Sequence, residues 1–240
     1  MHHWRDEAIL LATRRHGEGD AIVELLTAAR GRHGGVVKGG AGRRLGPVLQ
    51  PGAQLDVEWR ARLESHIGTA RVEPLRSRAG ALMGDGPALA ALTAAAALLV
   101  AFLPERAPHP ELYADTVDLF DSLGAAPDWP ARYALWELGL LAELGFALDL
   151  SACAATGATE DLVWVSPRSG RAVSRAAGAP YADRLLPLPA FLREGGAAGP
   201  AEVIAALRLT GHFLERAAAP SFGLDGAPPA RARLTERLDR

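Results

Sequence analysis

The first eighty positions of the chain contain short segments in which apolar and polar residues alternate, a pattern typical of β-strands with one buried face. The clearest is residues 55–62, where leucine, valine, tryptophan and alanine alternate with acidic and basic residues. Apolar runs predict four further strands at residues 8–13, 20–28, 34–38 and 65–74, with Pro74 ending the last. Five short strands joined by turns predict a small barrel of the oligonucleotide-binding (OB) type.

A hairpin rich in basic residues lies at the centre of this predicted barrel. Residues 30–32, Arg-Gly-Arg, form the predicted turn, and Lys38, the only lysine of the chain, ends the third strand. Glycines at positions 39, 40 and 42 follow, and then Arg43 and Arg44. Because glycine adds no side-chain bulk, we expect the backbone amides and the arginine pair of this loop to approach a polyanion closely.

Helical periodicity replaces the alternation after residues 77–86. Four helix-length apolar segments follow, and each begins at a proline, namely Pro87, Pro110, Pro130 or Pro200. The helix that begins at Pro200 is expected to end before Pro220. Residues 150–186 are rich in turns, with one short strand predicted at 162–165. The patterns predict an α+β protein with a five-stranded OB-fold barrel at residues 1–80. An all-helical domain with a small insertion at about 150–186 is predicted for residues 81–240.

The distribution of charge also divides the chain. Its net charge is −2, but residues 1–80 contain thirteen basic and nine acidic side chains, so the remainder is acidic. This asymmetry predicts an anionic ligand for the first part and a different kind of partner for the second. The candidate nucleic-acid contacts lie on predicted loops and strand ends. They are Arg14, Arg15, Arg30, Arg32, His33, Lys38, Arg43, Arg44, Arg60 and Arg62. Trp59 is expected in the core, and Trp4 and His33 are the candidates for stacking on bases.

Motifs of known enzymes are missing from the sequence. It contains no phosphate-binding P-loop pattern, and its seven histidines are scattered. Cys153, the only cysteine, excludes an intramolecular disulfide and favours a reducing compartment. No signal peptide is apparent, and the apolar run at 88–103 is shorter than the roughly 20 residues that cross a bilayer. We therefore expect a cytoplasmic, non-enzymatic protein. An RNA-binding OB module and an enzyme that uses Cys153 remain as alternatives.

Six motifs follow one another along the chain: GEGDAIVELLT at 17–27, KGGAGRR at 38–44, LQPG at 49–52, LAELGFALDL at 141–150, CAATG at 153–157 and VSPRSG at 165–170. In order and spacing they resemble the RecO family of bacterial recombination mediators. This resemblance implies an OB-fold barrel, a helical domain and a finger-like insertion. It also implies binding to single- and double-stranded DNA, annealing of complementary strands and help in loading recombinase onto DNA coated with single-strand-binding protein.

The same resemblance implies partners. These are RecR and the C-terminal tail of single-strand-binding protein, with a location at the nucleoid and no membrane contact. An acidic tail requires a basic docking surface, and the hypothetical contributors are Arg132, Arg168, Arg171 and Arg175.

The finger-like insertion departs from the family pattern, in which many members hold zinc with four cysteines. The matching positions here are Cys153, Thr156, Ser174 and Ala177. Structural zinc sites require cysteine or histidine ligands, so we expect no bound zinc. Packing of Val163, Val165 and Val173 is expected to hold the insertion instead.

Overall fold

The computed structural model of the protein describes residues 2–63 and 65–240. The strands are β1 (His2–His16), β2 (Asp20–Thr27), β3 (Gly31–Val37), β4 (Gln54–Ala61), β5 (Thr69–Arg76), β6 (Leu162–Val165), β7 (Ala172–Ser174) and β8 (Leu186–Pro187). The α-helices are α1 (Gly86–Phe102), α2 (Pro110–Ser122), α3 (Trp129–Glu143), α4 (Arg175–Gly178), α5 (Phe191–Glu194), α6 (Pro200–Phe222) and α7 (Pro229–Leu238). A 3₁₀-helix at Ala179–Arg184 lies between α4 and β8.

The first five strands form a closed barrel in the order β1-β2-β3-β5-β4. All neighbours are antiparallel except β3 and β5, which run parallel with Val36 opposite Thr69. β1 closes the barrel because it is long enough to pair with β4 through its first half and with β2 through its second. An irregularity between Leu10 and Ala12 bends the strand between these two pairings. This topology is the OB fold, and the predicted fold class is confirmed.

Alternation along the strands determines which side chains fill the barrel. Leu55, Val57 and Trp59 of β4 are buried, whereas the charged residues between them point outward. Val72 and Ala70 of β5 and Leu10 of β1 complete the same core. On β4 and β5, alternation therefore turns one apolar face to the interior and leaves one polar face outward.

Helices α1 and α2 belong with the barrel. The chain divides into two compact units, Met1–Ala125 with Pro228–Leu234 and Ala126–Ala227 with Thr235–Arg240. In the first unit Arg78 is buried, and it donates to the carbonyl of Gly52 at 2.9 Å and to Asp121 at 2.5 Å. The domain boundary at residue 80 stays a prediction.

The second unit combines helices with a small sheet. Helices α3 and α6 pack together, and Thr210 of α6 donates a 2.5 Å hydrogen bond to the buried carboxylate of Glu137 in α3. The insertion contains a three-stranded sheet in the order β7-β6-β8. The strand predicted at 162–165 is confirmed as β6, whereas the two shorter strands were not predicted. None of the helices in the described parts of the chain is long and apolar enough to span a membrane.

Two predictions about prolines are wrong. Pro74 does not end the fifth strand, because β5 begins at Thr69 and continues through Pro74, opposite Leu55, to Arg76. A strand tolerates proline where the ladder does not use its missing N–H. Helix α6 likewise continues past position 220 to Phe222.

Candidate nucleic-acid interface

A groove with a volume of about 720 Å³ runs along the outside of the barrel. It is bounded by the end of β3, the β3–β4 loop and the outward faces of β4 and β5. Its basic side chains are Lys38, Arg44, Arg60 and Arg71, and its carboxylates are Glu58 and Glu73. Leu45 and Val48 line it where the loop packs on the core cluster. The groove thus has an apolar part and an excess of positive charge.

Strand register explains why these charges share one surface. Trp59 points into the core, so Glu58 and Arg60 on either side of it point outward. On β5 the outward residues Thr69 and Arg71 lie opposite Arg60 and Glu58, respectively. Alternation on two paired strands therefore creates a single charged face.

A second cavity, of about 640 Å³, adjoins the groove at the β4–β5 connection. Arg60 and Thr69 line both cavities. Arg62, His66 and Ile67 belong to the second cavity alone. Ile67 is exposed, so apolar surface and arginine side chains stand side by side here. The two cavities form one continuous surface, which we call the basic groove.

Carboxylates within the protein already neutralise two of the cations. Lys38 is 2.7 Å from Asp20, and the hydrogen bond from Lys38 is the main cause of the lowered pKa of Asp20. Glu58 accepts hydrogen bonds from Arg60 and, at 3.0 Å, from His3, and these lower the pKa of Glu58. Arg43, Arg44, Arg62 and Arg71, by contrast, form no ion pair with another described residue. These four, which we call the unpaired arginines, are available to an external anion, and exposed Arg14 and Arg15 likewise form no ion pair with a described residue.

The β3–β4 loop is more ordered by internal hydrogen bonds than the sequence suggested. Gly39 N donates to Asp20, Gly40 N to Val37 O and Gly42 N to Gly39 O. The amide of Ala41 reaches back to the carbonyl of Gly19 at 3.0 Å. The expectation that the amides of these glycines approach a polyanion is therefore wrong, because the protein itself uses them. Their role is to position Arg43 and Arg44, whose side chains are exposed.

The structure brings together only part of the predicted contact set. Lys38, Arg44 and Arg60 line the main groove, and Arg62 lines the adjoining cavity. Arg43 is exposed beside Arg44. Arg14 and Arg15 are exposed near the end of β1, opposite Ile22 and Ala21. Ala21 in turn faces Val37, so these two arginines and Lys38 lie at the same end of the hairpin.

The remaining predicted contacts lie towards the opposite end of the β2–β3 hairpin. Arg32 is bound by Glu24 at 2.8 Å and donates to the carbonyl of Leu103 at 3.0 Å. Arg30 covers the ring of Trp4, with its guanidinium carbon 5.6 Å from the ring centroid. His33 is buried. These three side chains therefore have structural contacts within the barrel unit.

The barrel aromatics form a buried cluster. The Trp4 and Trp59 rings are stacked with centroids 5.6 Å apart, and His33 meets both edge-on. The indole N–H of Trp59 donates to Gly34 O at 2.9 Å and to Ile67 O at 3.2 Å. The prediction that Trp59 is a core residue is confirmed. The prediction that Trp4 and His33 stack on bases is wrong, because they are only 6% and 5% exposed.

Arg71 is the groove residue that sequence reasoning did not select. It follows the alternation of residues 67–73, so a signal for its outward position was present. Its position opposite Glu58 follows from the β4–β5 register, and its position beside the β3–β4 loop depends on long-range packing that the local pattern does not contain.

The residues of the insertion do not fit a zinc ion. Cys153 is 1% exposed, and its sulfur accepts a hydrogen bond from Ser174 N at 3.3 Å. Hydrogen bonds, first from the Ser174 side chain and then from Thr156, lower the pKa of Cys153 to about 6. One thiol with hydroxyl neighbours lacks the donor set of a structural zinc site. Among the described residues, no group of three or more His, Cys, Asp or Glu side chains is placed to hold a metal. The burial of the thiol also disfavours an enzyme that uses Cys153.

Hydrogen bonds from α6 support the insertion. Arg216 donates to the carbonyls of Pro167 at 2.8 Å and Arg168 at 2.6 Å. His212 Nε2 lies 3.1 Å from the same Pro167 oxygen. Val165 and Val173 are buried as expected, whereas Val163 is only half-buried. Packing and these backbone contacts together hold the β6–β7 hairpin.

The four arginines considered for an acidic tail are mostly paired within the second unit. Arg132 binds Asp128, Arg171 binds Asp149 and Arg175 binds Asp161, at N–O distances between 3.0 and 3.3 Å. All three pairs are exposed and therefore exchangeable with an external carboxylate at small cost. Arg168 is exposed at the hairpin turn, with its carbonyl bound by Arg216.

The strand order, the basic groove and the helical region with its insertion define a class, namely OB-fold proteins with an attached helical domain. Family comparison gives the particular assignment. The family model described as Recombination protein O N terminal matches residues 1–78, and Recombination protein O C terminal matches residues 83–223. The chain belongs to the RecO family of DNA repair proteins.

Proteins that are similar to this chain over its full length support the same family assignment. A protein of Cereibacter sphaeroides is 57% identical over 243 residues, with 100% of both chains covered. One from a Ruegeria species is 54% identical over 237 residues, covering 99% of this chain and 98% of the relative. One from Dinoroseobacter shibae is 52% identical over 240 residues, covering 100% and 99%. Each is named DNA repair protein RecO.

Proposed function

We propose that the protein is a non-enzymatic recombination mediator whose basic groove binds single- and double-stranded DNA. The observation that carries this proposal is the set of unpaired arginines: Arg44, Arg62 and Arg71 line the basic groove of an OB-fold barrel, and Arg43 is exposed beside Arg44. Guanidinium groups match phosphate geometry, and cations without an internal partner release counterions most fully when they bind DNA. Lys38 and Arg60 assist from within the groove, and Arg14 and Arg15 extend the surface.

In this function the protein anneals complementary strands and helps load recombinase onto DNA coated with single-strand-binding protein. RecR and the C-terminal tail of single-strand-binding protein are the proposed protein partners. For the tail, Arg132, Arg168, Arg171 and Arg175 are the proposed contacts, because their ion pairs are exposed. Charge reversal at these four positions is expected to abolish binding of a labelled tail peptide. Unchanged peptide binding would remove these residues from the proposal.

Fluorescence anisotropy of a labelled single-stranded oligonucleotide, titrated at several salt concentrations, tests the proposed groove. An Arg44→Ala, Arg71→Ala double variant removes two phosphate contacts, so the slope of log K against log salt should flatten by about 1.4. An Arg184→Ala, Arg208→Ala variant removes the same charge from exposed positions in the second unit and is expected to bind like wild type.

The outcomes separate the alternatives. Equal slopes for wild type and the groove variant would show that DNA binds elsewhere. Tighter binding to an RNA of the same sequence would favour an RNA-binding OB module. No binding of either nucleic acid at low salt would contradict the proposed function.

A further inference from the structure

The large aromatic side chains of the barrel are committed to its interior. Trp4 and Trp59 are the only Trp, Tyr or Phe residues among positions 1–80. They stack on each other, and His33 fills the space at their edges. An indole turned outward to meet a base would break the stacked pair and leave a cavity in the core.

Hydrogen bonding fixes this arrangement further. Trp59 Nε1 donates both to Gly34 of β3 and to Ile67 of the β4–β5 connection. A Cβ atom at Gly68 would lie 2.5 Å from the Trp59 ring, so the backbone of this connection lies directly against the indole. Rotation of Trp59 would therefore release the connection that lines part of the basic groove.

The groove itself presents groups that suit phosphates better than bases. Its polar side chains are mainly guanidinium and ammonium groups, and its apolar ones are aliphatic, such as Leu45 and Val48. OB folds that bind single strands through base stacking use aromatic platforms, each worth roughly 1–3 kcal/mol per base. In this barrel the two tryptophans that could serve as such platforms are stacked on each other and buried in the core.

We infer that the basic groove holds a single strand by its sugar–phosphate backbone and leaves the bases accessible to water. This inference rests on the proposed function and specifies its ligand as the DNA backbone. Its consequence is that a bound strand remains available to pair with a complementary strand, which stacking on the protein would prevent. The same phosphate contacts also serve double-stranded DNA, because base pairing does not conceal its backbone.

Two oligonucleotides of equal length test the inference, one of ordinary sequence and one in which every base is replaced by an abasic tetrahydrofuran. Anisotropy titrations of the full chain at low salt should give affinities within about threefold of each other. Stacking of even one base would instead weaken the abasic strand by roughly 5- to 150-fold. The Arg44→Ala, Arg71→Ala variant should weaken both strands by the same factor.

Permanganate oxidation of thymines in the bound ordinary strand is an independent readout. The inference expects oxidation at the rate of the free strand, because the ring faces remain exposed. Protected thymines, or a weak abasic complex beside a tight ordinary one, would overturn the inference and leave DNA binding intact. Failure of both strands to bind would overturn the proposed function and this inference with it.

Discussion

At the residue scale, the availability of a cation for DNA depends on the acids around it. Lys38 and Arg60 lie in the groove, yet Asp20 and Glu58 already bind them. A phosphate that approaches these cations competes with a carboxylate, whereas a phosphate that approaches an unpaired arginine competes only with water and salt ions. The sequence alone does not distinguish these cations from one another. Only the structure shows which of them are bound by a carboxylate of the protein.

His33 is a second residue whose surroundings change its chemistry. It is buried beside the two tryptophans, and its Nδ1 has no hydrogen-bond partner among the described residues. Burial, followed by the positive charge of Arg106, lowers its pKa below the ordinary 6.5. The neutral imidazole is therefore the form that the folded barrel accommodates.

We predict that acid destabilises the barrel through His33. The unfolded chain binds a proton at about pH 6.5 while the folded chain resists it, so the free energy of unfolding should fall as the pH falls below 6.5. This contribution is fully present above pH 6.5. Urea titrations at pH 7.5 and 5.5 measure the loss, and His33→Gln, which cannot titrate, should lose less. An equal loss in both proteins would assign the acid sensitivity to other groups.

At the element scale, turns fix the barrel as much as strands do. Gly31 begins β3 with φ of +67°, and a Cβ atom there would lie 1.9 Å from the carbonyl oxygen of Ala107. Gly17, in the β1–β2 turn, has a similar φ of +59°, but a Cβ atom added there would meet nothing within 4 Å. The two glycines therefore separate the cost of backbone conformation from the cost of steric overlap.

Gly31→Ala should be much more destabilising than Gly17→Ala. The conformational cost alone is about 1–2 kcal/mol, which is the expected loss at Gly17. Gly31→Ala adds a backbone clash that only movement of the segment at Ala107 relieves, so we expect a loss above about 4 kcal/mol. Denaturant unfolding of both variants measures the difference. Similar losses would show that the contact between Gly31 and Ala107 relaxes freely.

The insertion illustrates how another element is held without the family's metal ligands. Arg216 and His212 of α6 bind the carbonyls at the turn of the β6–β7 hairpin. Asp149 adds backbone hydrogen bonds to Gly170 and Ala172. Together with buried Val165 and Val173, these contacts hold the hairpin without the four cysteines of a zinc finger.

Arg216→Ala should loosen the hairpin turn, whereas chelation should leave it unchanged. Loss of the bonds to Pro167 and Arg168 is expected to speed amide exchange of residues 166–170. Arg208→Ala, on the same helix but paired with Asp239, is the matched control and should leave that exchange unaltered. The melting temperature should be the same with and without EDTA. A fall on chelation would indicate a bound metal and contradict the fit of these residues.

At the scale of the whole molecule, the net charge of −2 conceals the basic groove that is proposed to bind DNA. A chain of overall negative charge is not drawn to DNA by its total field, so attraction depends on the local groove. In the proposed function, the number of unpaired arginines in and beside the groove sets the salt dependence of binding.

We predict a moderate salt slope for the wild-type chain. Four unpaired arginines, each releasing about 0.7 counterion from single-stranded DNA, give a slope of log K against log salt of about −3. Anisotropy titrations between low and physiological salt measure it. A slope near −6 would require cations outside this set, among which Lys38, Arg60, Arg14 and Arg15 are the first to replace.

The sequence by itself determined the five barrel strands, the main helices and the fold class, because alternation and helical periodicity are local properties, whereas β7, β8 and the ends of β5 and α6 were beyond it. It also determined the family, since six motifs stand in order along the chain. Several site residues were beyond its reach. Burial of Trp4 and His33 depends on the pairing of β1 with β4, the pairing of Lys38 with Asp20 depends on the β2–β3 register, and the position of Arg71 beside the loop depends on how the barrel packs. Such contacts join residues that are separate in sequence, so only the tertiary structure decided which basic residues have partners within the protein and which remain unpaired.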